Sequence, residues 1–227
     1  MIKVVLWDID GTLLDFLSAE KAAIRKCFSV FGLGECSDEM LADYSAVNIG
    51  YWQRLERGEM TKPEILRGRF ETFFSHWGLD VSLAERFNEE YEMRLTDTVI
   101  FLPGARETVE ALRGRAVQCA VTNGTKRVQE LKLRRSGLDR LLDHVFISED
   151  LGAEKPGAAF FQRVFDTIGQ IDSRQVLIVG DSLTSDMRGG VNAGIVTCWY
   201  NPLAKENASG LALDHEIRAI PQVLDIM

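Results

Sequence analysis

The sequence has no apolar run near the roughly 20 residues that a membrane helix needs. The apolar stretch Ile2–Trp7 ahead of Asp8 is too short for a signal-peptide core. Neither membrane association nor a leader is expected. The four cysteines, Cys27, Cys36, Cys119 and Cys198, include no C-x-x-C pair, and His76, His144 and His215 stand singly. That excludes the usual zinc patterns and predicts reduced, buried thiols in a cytoplasmic protein. Positive charge is also short: 26 Lys+Arg face 34 Asp+Glu, a net charge of −8. Bulk attraction to nucleic-acid polymers or anionic membranes is therefore excluded. Internal repeats and low-complexity segments are absent. What remains is ordinary globular composition, 46% hydrophobic and 26% charged over 227 residues. That length suggests one large domain or one domain with a sizeable addition.

Five short apolar, β-branched runs predict strands: Ile2–Trp7, Ala116–Val121, His144–Ile147, Gln175–Val179 and Ile195–Trp199. They lack polar alternation, as strands covered on both faces do. Helical patterns separate the later runs: Ala105–Leu112, Lys126–Ser136, Ala158–Ile168 and Ser185–Ala193. The last three each stop at a glycine. Strands alternating with helices imply right-handed βαβ units and a parallel sheet, an α/β fold.

Residues 15–98 break that rhythm. Ile24, Cys27, Phe28 and Phe31 recur at i, i+3, i+4 and i+7, one face of a helix. Thr61-x-x-Glu64 and Ser82-x-x-Glu85 both have capping-box form ahead of apolar residues. An all-helical block, 15–98, thus interrupts a core made of 1–14 and 99–227. The block carries 16 acids and 10 bases, net −6, and the core net −2.

Polar residues gather at four successive strand ends. The first strand runs into Asp8-Ile9-Asp10-Gly11-Thr12, with two carboxylates two residues apart and a glycine for the turn. The second ends in Thr122-Asn123-Gly124, a hydroxyl beside backbone N–H groups able to form an anion nest. After the third comes Glu154-Lys155-Pro156, where proline favours an extended residue before it and suits a helix start. The fourth ends in Gly180-Asp181-Ser182-Leu183-Thr184-Ser185-Asp186. In an open α/β sheet, ligands bind at the carboxyl ends of the strands. Each piece alone reads equally well as a polar turn, a solvated lysine or a decorated helix start. Their conjunction is far more specific.

In that conjunction the chain resembles the haloacid dehalogenase superfamily of phosphohydrolases, over its whole length. The resemblance implies a Rossmann-like core with strand order 5-4-1-2-3 and a helical cap inserted after the first motif. It implies Asp8 as nucleophile and metal ligand, and Asp10 as the acid that protonates the leaving group and then activates water. Thr122 would bind phosphoryl oxygens, and Lys155 would offset the charge of Asp8 and the phosphoryl group. Asp181 would ligate Mg²⁺ together with Asp8 and the main-chain carbonyl of Asp10, Mn²⁺ being able to substitute. Asp186 and Asn123 would support these groups from behind. Such clustered carboxylates suit a hard divalent ion, and a carboxylate nucleophile gives an aspartyl-phosphate.

Asp10 separates this pattern from dehalogenases, whose leaving group needs no proton. The D-K-T-G-T sequence and membrane helices of P-type ATPases are missing. Lys21, Lys26 and Lys62 lie in no pattern resembling the cap lysine of phosphonatases. Within Tyr44–Trp52, Asn48 and Trp52 share a helical face at i, i+4, and an aromatic with an amide could stack on and pair with a nucleobase. These residues, Gly58–Thr61, Gly68–Glu71 with Arg69, and Thr197–Asn201 look like bacterial house-cleaning pyrimidine 5′-nucleotidases. The expected function is thus a phosphatase of nucleoside 5′-monophosphates, pyrimidine preferred, a monomer or homodimer acting on a small phosphate monoester. The alternatives are a phosphoglycolate or sugar-phosphate phosphatase, a phosphomutase, and a catalytically silent binding module on the same fold.

Overall fold

The first strand, β1 (Val4–Trp7), is buried along its whole length. The chain then leaves the sheet through a helical segment and returns to build the other strands. The structure, a computed structural model, describes residues 1–227. Contacts divide it into two units, Met1–Asp15 with Ile100–Met227, and Phe16–Val99.

The second unit holds α1 (Phe16–Phe31), α2 (Asp38–Glu56), α3 (Lys62–His76) and α4 (Ala84–Arg94), and no strand. Ile24, Cys27 and Phe28 of the sequence-derived face are buried. Thr61 and Glu64 form the expected capping box at the start of α3. Ser82 and Glu85 do not. Asp80 accepts from the Ser82 N–H instead and opens a 3₁₀ turn, Val81–Leu83, that delays α4. A carboxylate two residues upstream offers the closer local acceptor and wins the competition. The core is aromatic: Tyr44 stacks on Phe70 at 5.0 Å, and Phe74 meets Phe87 edge-on at 5.0 Å. Such pairs each contribute about 0.5–1.5 kcal/mol beyond burial.

The first unit continues with α5 (Ala105–Leu112), β2 (Val117–Thr122), α6 (Lys126–Ser136), β3 (His144–Ile147), α7 (Ser148–Leu151) and α8 (Ala158–Ile168). It ends with β4 (Val176–Gly180), α9 (Arg188–Ala193), β5 (Val196–Tyr200) and β6 (His215–Ile217). The sheet order is β3-β2-β1-β4-β5-β6, parallel at every pair. This is the expected order read from the other edge, with β6 added. Alternate residues of the strands, such as Val4, Leu6, Val121 and Ile178, face one buried cluster with Phe160, Phe161 and Val164 of α8. Val5, Trp7, Ala120 and Val179 are buried too, as two-sided cover requires. The Trp7 indole donates to Gln118 Oε1 (3.2 Å), whose amide donates to the Val109 carbonyl (2.9 Å).

Two local expectations change. Residues expected to open a helix at Ser185 form a π-turn, Leu183–Met187, before α9, and Ser182, not Ser185, caps it. The last expected strand, Ile195–Trp199, is β5 shifted by one residue, Val196–Tyr200.

Candidate active site

β1 lies between β2 and β4, so residues just past their carboxyl ends meet where the strand order reverses. Asp8 follows β1 directly, and its N–H donates to the Val179 carbonyl of β4 at 2.9 Å. Asp181 follows β4 directly. Gly11, at φ 91°, turns the loop after β1, and a Cβ there would stand 2.7 Å from Asp181 Oδ2. Glycine therefore allows this loop and Asp181 to approach closely.

Lys155 is the hub. Its ammonium is 1% exposed and donates to Asp8 Oδ1 (2.8 Å), Asp186 Oδ1 (2.6 Å) and the Val121 carbonyl (2.7 Å). All three protons are thus used. Burial alone would lower the lysine's pKa, but the carboxylates of Asp186 and Asp8 outweigh it and hold the group cationic. The Asn123 side chain clamps the lysine's main chain: Lys155 N–H donates to Oδ1 and Nδ2 donates to the Lys155 carbonyl, both at 2.8 Å. Pro156 lies ahead of α8, which starts at Ala158 behind Gly157, rather than inside its first turn. Thr122, the last residue of β2, is buried, and its hydroxyl accepts from the Gly124 N–H at 3.1 Å.

The acids are in excess over the single ammonium. Carboxylate oxygens of Asp8, Asp181 and Asp186 all lie within 4.8 Å of one another. Burial raises Asp8 well above the ordinary carboxylate range, the charges of Asp186 and Asp181 add to this, and Lys155 opposes it. Asp181 opens to solvent, yet protein atoms crowd its carboxylate. That desolvation, with Asp186 beside it, pushes Asp181 up to about 7. Asp8 and Asp181 resist ionising side by side, and the clustered carboxylates form a donor set that fits a hard divalent cation. Trp199 steadies this corner, its indole donating to the Asp181 carbonyl at 3.0 Å.

Asp10 points elsewhere. Lys132 Nζ donates to its Oδ1 (2.7 Å) and Gln129 Nε2 to its Oδ2 (2.6 Å). Neither partner stands out in the sequence, because polar residues on a helix read as solvated. The available signal was their place among Val128 and Leu133, a buried stripe of α6 at helical spacing.

The three expected specificity residues separate. Asn48 and Arg69 are buried inside the helical unit, and their side chains are spent there. Asn48 Nδ2 donates to Glu20 Oε2 (2.8 Å) and Arg69 donates to Asn48 Oδ1 (3.0 Å) and Asn88 Oδ1 (2.7 Å). The Arg69 guanidinium also lies 5.1 Å from the Phe70 ring centre and 5.0 Å from that of Tyr91. Asn48 thus faces the bundle interior, and of the three only Trp52 is partly exposed.

The strand-end acids, the buried lysine and the parallel sheet define a hydrolase of a known type. Residues 2–194 match the family model of haloacid dehalogenase-like hydrolases, and the chain belongs to that family. It is similar to the HAD-hydrolase YfnB of Bacillus subtilis, solved bound to magnesium. The two are 34% identical with a TM-score of 0.93, covering 99% of this chain and 98% of that one. It is also 35% identical to the pyrimidine 5′-nucleotidase PynA of Streptococcus pneumoniae, over 99% of this chain and 94% of the relative. The pyrimidine 5′-nucleotidase YjjG of Escherichia coli is 32% identical over 92% of this chain and 90% of its own. No helix is long and apolar enough to cross a membrane, and all four cysteines are free and buried.

Proposed function

We propose that this chain is a Mg²⁺-dependent phosphatase of nucleoside 5′-monophosphates, with pyrimidines preferred, working through an aspartyl-phosphate on Asp8. The observation that carries this reading is the Asp8–Lys155–Asp186 array with Asp181 beside it. Likeness to two pyrimidine 5′-nucleotidases along most of the chain supports the substrate class. Four unpaired thiols fit a reducing cytoplasm.

An Asp8 carboxylate oxygen attacks phosphorus, and the bond from phosphorus to the ester oxygen breaks. Asp10 gives its proton to the departing alkoxide. The resulting carboxylate then takes a proton from water as that water attacks the aspartyl-phosphate, which frees Asp8 and releases phosphate. Thr122 and its turn would take the phosphoryl oxygens, and Lys155 favours the ionised form of Asp8 against the burial that opposes it and offsets the added charge. Asp8, Asp181 and the main-chain carbonyl of Asp10 would hold Mg²⁺, which when bound supplies the positive charge that draws two anions together. Asp10 separates this chemistry from dehalogenation, where a halide leaves without a proton.

A substrate panel tests the reading. UMP, dUMP or dTMP should exceed phosphoglycolate and hexose phosphates in kcat/KM by at least about tenfold, roughly 1.4 kcal/mol of transition-state discrimination. The reverse order would remove the nucleotidase assignment and leave the chemistry standing.

The metal assignment has its own test in thermal unfolding. Asp8 and Asp181 have folded pKa values above their unfolded ones. The stability they contribute is present below the ordinary carboxylate range and is lost as pH rises through the folded values, about 7 for Asp181. Mg²⁺ binds the ionised forms, so it should stabilise the protein more at pH 8 than at pH 6. At about 100 times its Kd the gain is about 2.7 kcal/mol. That corresponds to a rise of about 5–10 °C in Tm for a chain of this size. An equal or larger shift at pH 6 would count against these ligands.

A further inference from the structure

We propose that Gln129 and Lys132 are positioning residues for Asp10, setting the direction of the carboxylate that passes its proton to the leaving group. The inference rests on the role given to Asp10 under the proposed function. Both residues lie on α6 three positions apart, so their side chains leave the helix on one face. Each takes one oxygen of the same carboxylate, Lys132 at 2.7 Å and Gln129 at 2.6 Å. Two donors on two oxygens fix the plane of a carboxyl group as well as its position.

Their burial argues against an incidental surface pair. Gln129 is 1% and Lys132 2% exposed, and lysine is almost never so buried without a specific partner. Gln129 Oε1 is buried with no hydrogen-bond partner. The amide therefore sits where its nitrogen reaches Asp10, although its own oxygen goes unsatisfied. A buried polar atom left unpaired calls for such an explanation. The neighbouring turn is shaped around this amide too: a Cβ on Gly124 would stand 2.2 Å from Gln129 Nε2. One turn and one helix thus carry both Thr122, which would take the phosphoryl oxygens, and the two donors that aim Asp10.

A merely structural pair would affect all substrates alike. An aiming pair would matter most where the leaving oxygen needs a proton. The full chain with Mg²⁺ is assayed by kcat/KM on p-nitrophenyl phosphate, whose leaving group departs readily, and on UMP, whose alkoxide needs protonation. Lys132→Met should lose about 30-fold or more on UMP, part of the 10²–10⁴ that general acid catalysis supplies. On p-nitrophenyl phosphate its loss should stay below about threefold, because little of that contribution is used there. Gln129→Leu should show the same bias more weakly, and Lys132→Arg, which keeps the charge, should retain most of the UMP rate. If Lys132→Met fails to fold, Gln129→Leu decides alone. Equal losses on both substrates, or none, in folded variants would overturn the inference. If Asp10→Asn shows the bias and the α6 variants do not, only this inference fails. If Asp10→Asn itself turns over UMP like the unaltered chain, the role of Asp10 fails and takes the inference with it.

Discussion

Asp8→Asn should lower phosphate release by on the order of 10⁴ or more, the scale on which enzymes lose rate with their nucleophile. The same change should raise the thermal stability of the metal-free protein. Activity falls because an amide cannot attack phosphorus. Stability rises because the ionised Asp8 is an unfavourable group where it stands: burial first, then the charges of Asp186 and Asp181, push its pKa up. Asparagine keeps the shape, can still accept the Lys155 proton through its oxygen, and brings no charge. Lys155 retains its contact with Asp186 at 2.6 Å. Each kcal/mol of relieved repulsion should add about 2–4 °C to Tm. A metal-free Asp8→Asn protein that melts below the unaltered chain would show that Asp8 is held there for stability rather than for chemistry.

Lys155→Met should do the opposite to stability and the same to activity. The substitution takes the only ammonium out of a cluster of three carboxylates and leaves Asp8, Asp186 and the Val121 carbonyl without their donor. Removing one partner of a buried ion pair costs about 3–5 kcal/mol, or about 6–20 °C in Tm at this size. The sign of the pH dependence follows from the groups left behind. They bind protons more tightly folded than unfolded, so the variant recovers stability as pH falls and loses it as pH rises. Unfolding at pH 5.5 and pH 8 checks this, and an equal deficit at both would mean that packing of the lysine stem, not charge, accounts for the loss. Phosphate release should fall by at least about 10², the lower scale for loss of one preorganised charge at a transition state.

The two variants differ because function places negative charge where folding alone would not. That is also why the candidate site could be picked out in the sequence. Asp8 and Asp181 each follow directly after a run of buried β-branched residues, a place where a carboxylate has no structural reason to stand. Lys155 gave a weaker signal, a lone lysine before proline, and drew its weight from the other three sites. The parallel sheet was legible for a similar reason, since four-to-six-residue apolar runs bounded by helical patterns imply right-handed βαβ units, whereas its strand order came only with the family resemblance.

What escaped was whatever departs from its own local pattern. β6 is three residues long, two of them exposed, and Asp214-His215-Glu216-Ile217 has no strand signature. It is held from outside itself, the Asn201 N–H donating to the Ile217 carbonyl at 2.8 Å and Asn201 Nδ2 to Glu216 Oε1 at 2.8 Å. The π-turn at Leu183–Met187 was hidden because its residues also suit an ordinary helix start. Gln129 and Lys132 were hidden because their partner lies 119 and 122 residues away in the chain. In the helical unit, Asn48 was expected to share a presented face with Trp52, whereas its amide donates to the buried Glu20. Burial raises the Glu20 pKa, while the Ser45 and Asn48 hydrogen bonds and the Arg69 charge oppose it. Spacing on a helix gives which residues share a face, but not whether that face looks inward.

The central claim is that phosphoryl transfer passes through Asp8. An Asp10→Asn protein, which should form the covalent intermediate from a good leaving group and hydrolyse it slowly, is mixed with Mg²⁺ and p-nitrophenyl phosphate. It is quenched in acid within a turnover, digested and weighed by mass spectrometry. The expected result is one phosphoryl group on the peptide carrying Asp8, absent when Asp8 is also asparagine. A burst of nitrophenol with the phosphoryl group on another residue, or the same burst in the Asp8→Asn background, would contradict it.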